Sequence, residues 1–179
     1  DNNTASMELS VQKRYDLAIN SRDIVFSDEN PDEGDIVRIY ATVVNKREES
    51  VDQVPVAFYL GNPAKDGVLL GQTVIEHIEA NQSGLAEFDW DTAGYSGRHI
   101  LYVVVDPQNI INEVDETNNE ALGIIYLTLR PDFVVVGATG SINASEGLPA
   151  NIAFAVKNQG GTAAGCRIAL FLGEPISEN

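Results

Sequence analysis

Only one cysteine, Cys166, occurs in 179 residues, so no internal disulfide can staple this chain together and its stability must come from a hydrophobic core. Long apolar runs are also missing. No stretch approaches the roughly 18 apolar residues that span a bilayer, which excludes membrane insertion by a helix in this segment. No basic region followed by an apolar run marks a signal peptide. Positive charge is scarce: 11 basic residues stand against 27 acidic ones, for a net charge of −16. Such a surface repels phosphate backbones, so no nucleic acid is expected as a partner. Histidine is limited to His77 and His99, with no nucleophile motif beside them. No G-x-S-x-G, no zinc spacing and no phosphate-binding glycine loop is present, so the chain reads as no enzyme and no catalytic residue is assigned.

What is present is repetition. Asn2-Asn3, Arg14 and Asp16 match Asn118-Asn119, Arg130 and Asp132 at an offset of 116. Glu33-Gly34 matches Glu146-Gly147 and Asn45 matches Asn158 at 113, and Val56 to Pro63 matches Ile168 to Pro175 at 112. Small loop deletions produce that drift, and the period is the size of a β-sandwich. Residues 1–14 then read as the last strand of a preceding repeat, 15–130 as one complete repeat, and 131–179 as the first three strands of the next.

Seven strands are expected in the complete repeat, near 16–26, 35–45, 53–61, 68–79, 85–91, 98–105 and 121–130. Val37, Ile39, Ala41 and Val43 alternate with Arg38, Tyr40 and Thr42, and Ala86, Phe88 and Trp90 alternate with Glu87, Asp89 and Asp91. Turn signals separate the strands, among them Asp32-Glu33-Gly34, Gly61-Asn62-Pro63 and Ser83-Gly84. No window of twelve residues carries a helical stripe. The fold class is all-β, an antiparallel β-sandwich. Trp90 belongs to the core by its alternation, and Cys166, aligned with Val54, is expected to be buried.

Tyr15-Asp16-Leu17, the Glu33-Gly34-Asp35 turn, Val43-Val44-Asn45 and above all Val103 to Asn119 (VVVDPQNIINEVDETNN) resemble CARDB, the cell-adhesion-related domain of bacteria and archaea. The resemblance implies immunoglobulin-like tandem repeats on large surface and secreted proteins, with calcium binding in some members. The second repeat departs at its first turn, with Ser145-Glu146-Gly147 where the first has Pro31-Asp32-Glu33-Gly34-Asp35.

The segment from Asp106 to Glu120 is dense in hard oxygen donors, which is what Ca2+ requires, and Asp106, Asn109, Glu113 and Asp115 are its candidate ligands. The alternative is plain turn chemistry, with Asp106-Pro107 opening a turn and the Asn side chains bonding their own backbone. Asn2, Asn81 and Asn143 lie in N-x-S/T sequons and are candidate glycosylation sites.

These readings lead to a structural or adhesive repeat module, extracellular or at the cell surface, in a stalk, adhesin or filament. Expected partners are neighbouring repeats or subunits of the same protein, surface glycans or other cell-surface proteins. The alternative is a carbohydrate-binding module appended to a secreted enzyme, for which Tyr40, Tyr59, Tyr95 and Tyr126 are available. The apolar positions Met7, Leu9 and Val11, and Ile152, Phe154, Val156, Ile168, Leu170 and Leu172, are expected to need cover from further parent chain or from a neighbouring subunit by strand addition.

Overall fold

The computed structural model describes residues 14–139, 153–161 and 166–169. The chain divides into two units, Asp1–Leu127 and Thr128–Asn179.

In the first unit the strands are β1 (Leu17–Ala18), β2 (Ile24–Phe26), β3 (Ile36–Asn45), β4 (Val51–Leu60), β5 (Val68–Ile78), β6 (Ser83–Asp91), β7 (Gly97–Val105) and β8 (Glu120–Leu127). All pair antiparallel. One sheet places β1 and β2 on one side of β3 and β6 on the other, and the second runs β5-β4-β7-β8. This is the all-β, antiparallel sandwich that the alternation implies. No described helix is long and apolar enough to cross a membrane.

The alternating residues fill the space between the sheets. Val37, Ile39, Ala41 and Val43 from β3 meet Val54, Val56 and Phe58 from β4 and Leu101, Val103 and Val105 from β7, all essentially without solvent contact. Phe58 stacks on Phe88 across the sheets, with ring centroids 5.1 Å apart. Trp90 is buried at one end, against Tyr95 and His99.

The expected strand at 16–26 is broken in two. Asn20 caps a 3-10 turn at Ser21–Asp23, its side chain accepting from the Arg22 amide while Asp23 accepts from the Asn20 amide. Those local bonds compete with the sheet ladder and win for one turn.

In the second unit, β9 (Phe133–Thr139) pairs antiparallel with β10 (Ala153–Asn158). Its register aligns Phe133 with Asn158, as β1 and β3 align Leu17 with Asn45. Gln159 N donates to Asp132 O at 2.7 Å, as Lys46 N donates to Asp16 O at 2.8 Å. Asn158 and Asn45 each accept from the amide two residues on. Cys166 is exposed rather than buried, because residues 166–169 form no strand that could turn it inward. The expected strand positions Ile152, Leu170 and Leu172 lie outside the described residues.

Candidate functional site

The segment between β7 and β8 begins with a sharp reversal at Asp106, where φ is +45°. Aspartate and asparagine tolerate this left-handed region better than other side-chain-bearing residues, and Asn109 follows at +52°. Asp106 N donates to Pro55 O at 2.8 Å, and Asn109 N donates back to Asp106 O at 2.9 Å. The Asp106 carboxylate is buried; Oδ2 accepts from the Ile111 amide at 2.6 Å, while Oδ1 has no hydrogen-bond partner.

Glu113 holds the centre. It is buried, with 3% of its surface exposed, and its Oε2 accepts from the Leu17 amide at 2.5 Å. Its Oε1 accepts from Asn119 Nδ2 at 2.8 Å, and that nitrogen also reaches Glu116 Oε2 at 3.4 Å. Burial pushes the Glu113 carboxyl from its ordinary 4.5 up to about 7. The bonds from Leu17 and Asn119 pull it down, and the charges of Glu116 and Asp106 add to the rise.

The Asn109 amide lies against the Glu116 carboxylate. Turned with its nitrogen inward, it donates to both oxygens at 3.0 Å. Turned the other way, it presents a third oxygen beside those two, the kind of donor set a hard cation collects. Asp115 is committed elsewhere: its Oδ1 accepts from Thr117 N at 2.9 Å and Thr117 Oγ1 at 2.6 Å, which holds its carboxyl below the usual range. Among the described residues, no three His, Cys, Asp or Glu side chains already converge at metal-binding distance. The structure thus groups Asp106, Asn109 and Glu113 with Glu116 and Asn119, and leaves Asp115 in a turn of its own.

Sequence reading missed that this loop is stitched to the start of the unit. Tyr15 N donates to Asn112 O, Val114 N to Tyr15 O, and Ile19 N to Asn118 O, all within 3.0 Å. Asn118 Nδ2 also reaches Asp16 Oδ1 at 2.9 Å. Tyr15 and Glu113 form a parallel bridge. The available signal was that Asp16 and Asn118 both stand in the segments matched at an offset of 116, and such a match does not show that they touch.

The remaining candidates are dispersed. Asn81 is exposed at the turn between β5 and β6, with φ +55°; Asn2 and Asn143 lie outside the described residues. His77 is exposed and paired with Asp52 at 2.5 Å, which raises its pKa. His99 packs edge-on to Trp90 and Tyr95 and reaches Ser96 O at 3.0 Å. Of the four tyrosines, Tyr40 lies on β3 opposite Glu87 and Tyr95 packs on Trp90, while Tyr59 and Tyr126 share the other sheet.

The family model that matches the chain is CARDB, over residues 14–122. The CARDB domain of a Pyrococcus furiosus protein, crystallised in complex with di-metal ions, is 18% identical with a TM-score of 0.53; the match covers 66% of this chain and 97% of that one. A domain from Methanosarcina acetivorans, provisionally named a cell surface protein, is 21% identical with a TM-score of 0.52, covering 64% of this chain and 93% of that one. A Geobacter metallireducens protein is 37% identical over 59% of this chain and 91% of that one, with a TM-score of 0.49. The first two likenesses show the fold. No curated protein matches.

Proposed function

The chain belongs to the CARDB family, and we propose on that premise that it is a non-catalytic structural module of a cell-surface or extracellular protein. The observation that carries this is the buried clasp around Glu113. It ties the entering segment, Tyr15–Ile19, to the last loop of the sandwich by several bonds side by side. A pull on the segment at Tyr15 loads those bonds together, so the unit behaves as a stiff link. The Methanosarcina domain, provisionally named a cell surface protein, supports the location. The matching registers of Leu17 with Asn45 and Phe133 with Asn158 support a tandem array, with 15–130 as a complete repeat between pieces of two others. Partners in that array are neighbouring repeats or subunits, and Asn81 stands where a glycan would be tolerated.

Calcium at the same loop is part of the proposal. The orphaned Asp106 Oδ1, the Glu113 and Glu116 carboxylates and the Asn109 amide are hard oxygen donors that would hold the ion. The ion would screen the charges that Glu113, Glu116 and Asp106 impose on one another. The Pyrococcus domain in complex with di-metal ions supports this.

Pulling single molecules tests the module: Glu113→Ala should lower the unfolding force, and an unchanged force overturns the clasp. Millimolar calcium should raise the melting temperature above that in chelator, because a ligand specific to the native state stabilises it. Coincident melting curves overturn the calcium reading alone.

A further inference from the structure

The two outer faces of the sandwich differ in kind. On the β3/β6 face, each outward cross-strand pair carries at least one charged or polar side chain: Arg38 opposite Asp89, with a 2.6 Å ion pair, Tyr40 opposite Glu87, Ile36 opposite Asp91 and Thr42 opposite Leu85. An antiparallel sheet with one wet face is expected to look like that. The outer face of β5-β4-β7-β8 does not. Its central row runs Leu69, Tyr59, Tyr102, Leu122 across all four strands. The next row sets Ile100 beside Ile124, and Val104 adjoins on the far side. These are not core residues showing an edge: Leu69 is 47% exposed, Ile124 44% and Tyr126 59%.

Strands about 4.8 Å apart, with about six residues each at roughly 3.4 Å, give a face of about 400 Å² in outline, most of it apolar. An exposed apolar patch of that size on a folded domain is commonly an interaction surface. Apart from the paired Tyr59 and Tyr102, the side chains of this patch are aliphatic, and its charged groups stand at the rim.

The rim names the occupant. Arg98 stands at one end of the β7/β8 pair, opposite Tyr126, and Glu120 stands at the other end, opposite Val104. Six residues of β7 separate the two ends, about 20 Å. Neither Arg98 nor Glu120 has an ion-pair partner among the described residues. A two-fold axis across the strands, between the Ile100 and Tyr102 rows, would lay one face on its copy. It brings each Arg98 over the partner's Val104, one strand spacing of about 4.8 Å from the partner's Glu120, and the Ile100/Ile124 row over the Tyr102/Leu122 row. The surface is complementary to itself, as a two-fold interface requires.

We propose that the outer face of the β5-β4-β7-β8 sheet is a self-association surface, on which two copies of this chain pair face to face through Tyr102, Leu122, Ile100 and Ile124 with Arg98 and Glu120 locking the register. The pairing does not depend on the calcium loop or on the cell-surface reading. The face is about half the roughly 800 Å² per partner of a standard interface, so the pair is weak and forms at high local concentration, as in an array.

Sedimentation equilibrium of the 179-residue chain tests it. A reversible monomer–dimer equilibrium in the range of about 0.1–1 mM is expected, in keeping with a small interface. Ile124→Lys should leave a folded monomer, since the side chain is exposed, with circular dichroism as the control for folding. Arg98→Glu alone and Glu120→Arg alone should each weaken pairing by about tenfold, and the double variant should restore it. A chain that stays monomeric at millimolar concentration overturns the proposal. So does pairing that survives Ile124→Lys, or a double variant no better than the singles. Glycan binding lost on Tyr102→Ala in a chain that never self-associates also overturns it, and assigns the face to a sugar.

Discussion

Glu113 serves two opposing demands. Its carboxylate is the acceptor that fixes the Leu17 amide, yet its burial and its acidic neighbours penalise the charge. Burial is the larger effect, and the carboxyl is pushed up to about 7. A carboxyl whose folded pKa lies above its unfolded value binds more protons when folded. Its stabilising contribution is therefore complete below the ordinary 4.5 and is lost as pH rises through about 7. The span bounds the loss at about 3 kcal/mol, from 1.36 kcal/mol per pKa unit. Melting temperatures of the chain in chelator should thus fall between about pH 5 and pH 8, following this linkage. Glu113→Gln keeps an acceptor for Leu17 and carries no charge, so its profile should be flatter over the same window. Parallel profiles for the two proteins would show that another group titrates.

At the level of strands, alternation told most of what was needed. The β6 pattern of Ala86, Phe88 and Trp90 inward follows from a period of two, and so does the filling of the interior by β3. Period-two reasoning failed where short side chains bond their own backbone, as at Asn20, which breaks the first strand. It also says nothing of register, which sets Tyr59 beside Tyr102 and makes one outer face apolar. Glycine was equally silent. Gly71 on β5 permits Phe88 to stack on Phe58, and a Cβ there would lie 2.3 Å from Phe88 Cε2. The ring is packed on both sides, so it cannot swing clear without leaving Phe58. Gly71→Ala should cost roughly 1–3 kcal/mol, the usual range for overpacking. Denaturant unfolding measures it, and Phe88→Leu in the same background should recover part of the loss by removing the clash. A neutral Gly71→Ala would mean that β5 can shift outward at no cost.

Across the whole chain the match of Asn45 with Asn158 was visible in sequence, and each side chain accepts from the amide two residues on. The metal candidates were legible as a group of oxygens, but not in their division between a buried clasp and an outer turn, which depends on contacts with Leu17 and Thr117. Charge acts at this scale too. With 27 acidic and 11 basic residues the chain has a net charge of −16, and unfolding lets charges that folding brings together separate. Described ion pairs do little to offset it: Arg38 with Asp89 is half exposed, and exposed pairs contribute little. Added monovalent salt shortens the screening length from about 30 Å at 0.01 M to about 8 Å at 0.15 M, which removes most of that repulsion. The melting temperature in chelator at pH 8 should therefore rise with sodium chloride, steeply at first and then level off. For a domain of this size each kcal/mol gained is worth roughly 4 °C. Sodium and potassium chloride should act alike, since the effect is screening and not binding. A melting temperature that falls over this range would mean that specific ion pairs outweigh the acid excess, and a difference between the two salts would point to a bound cation.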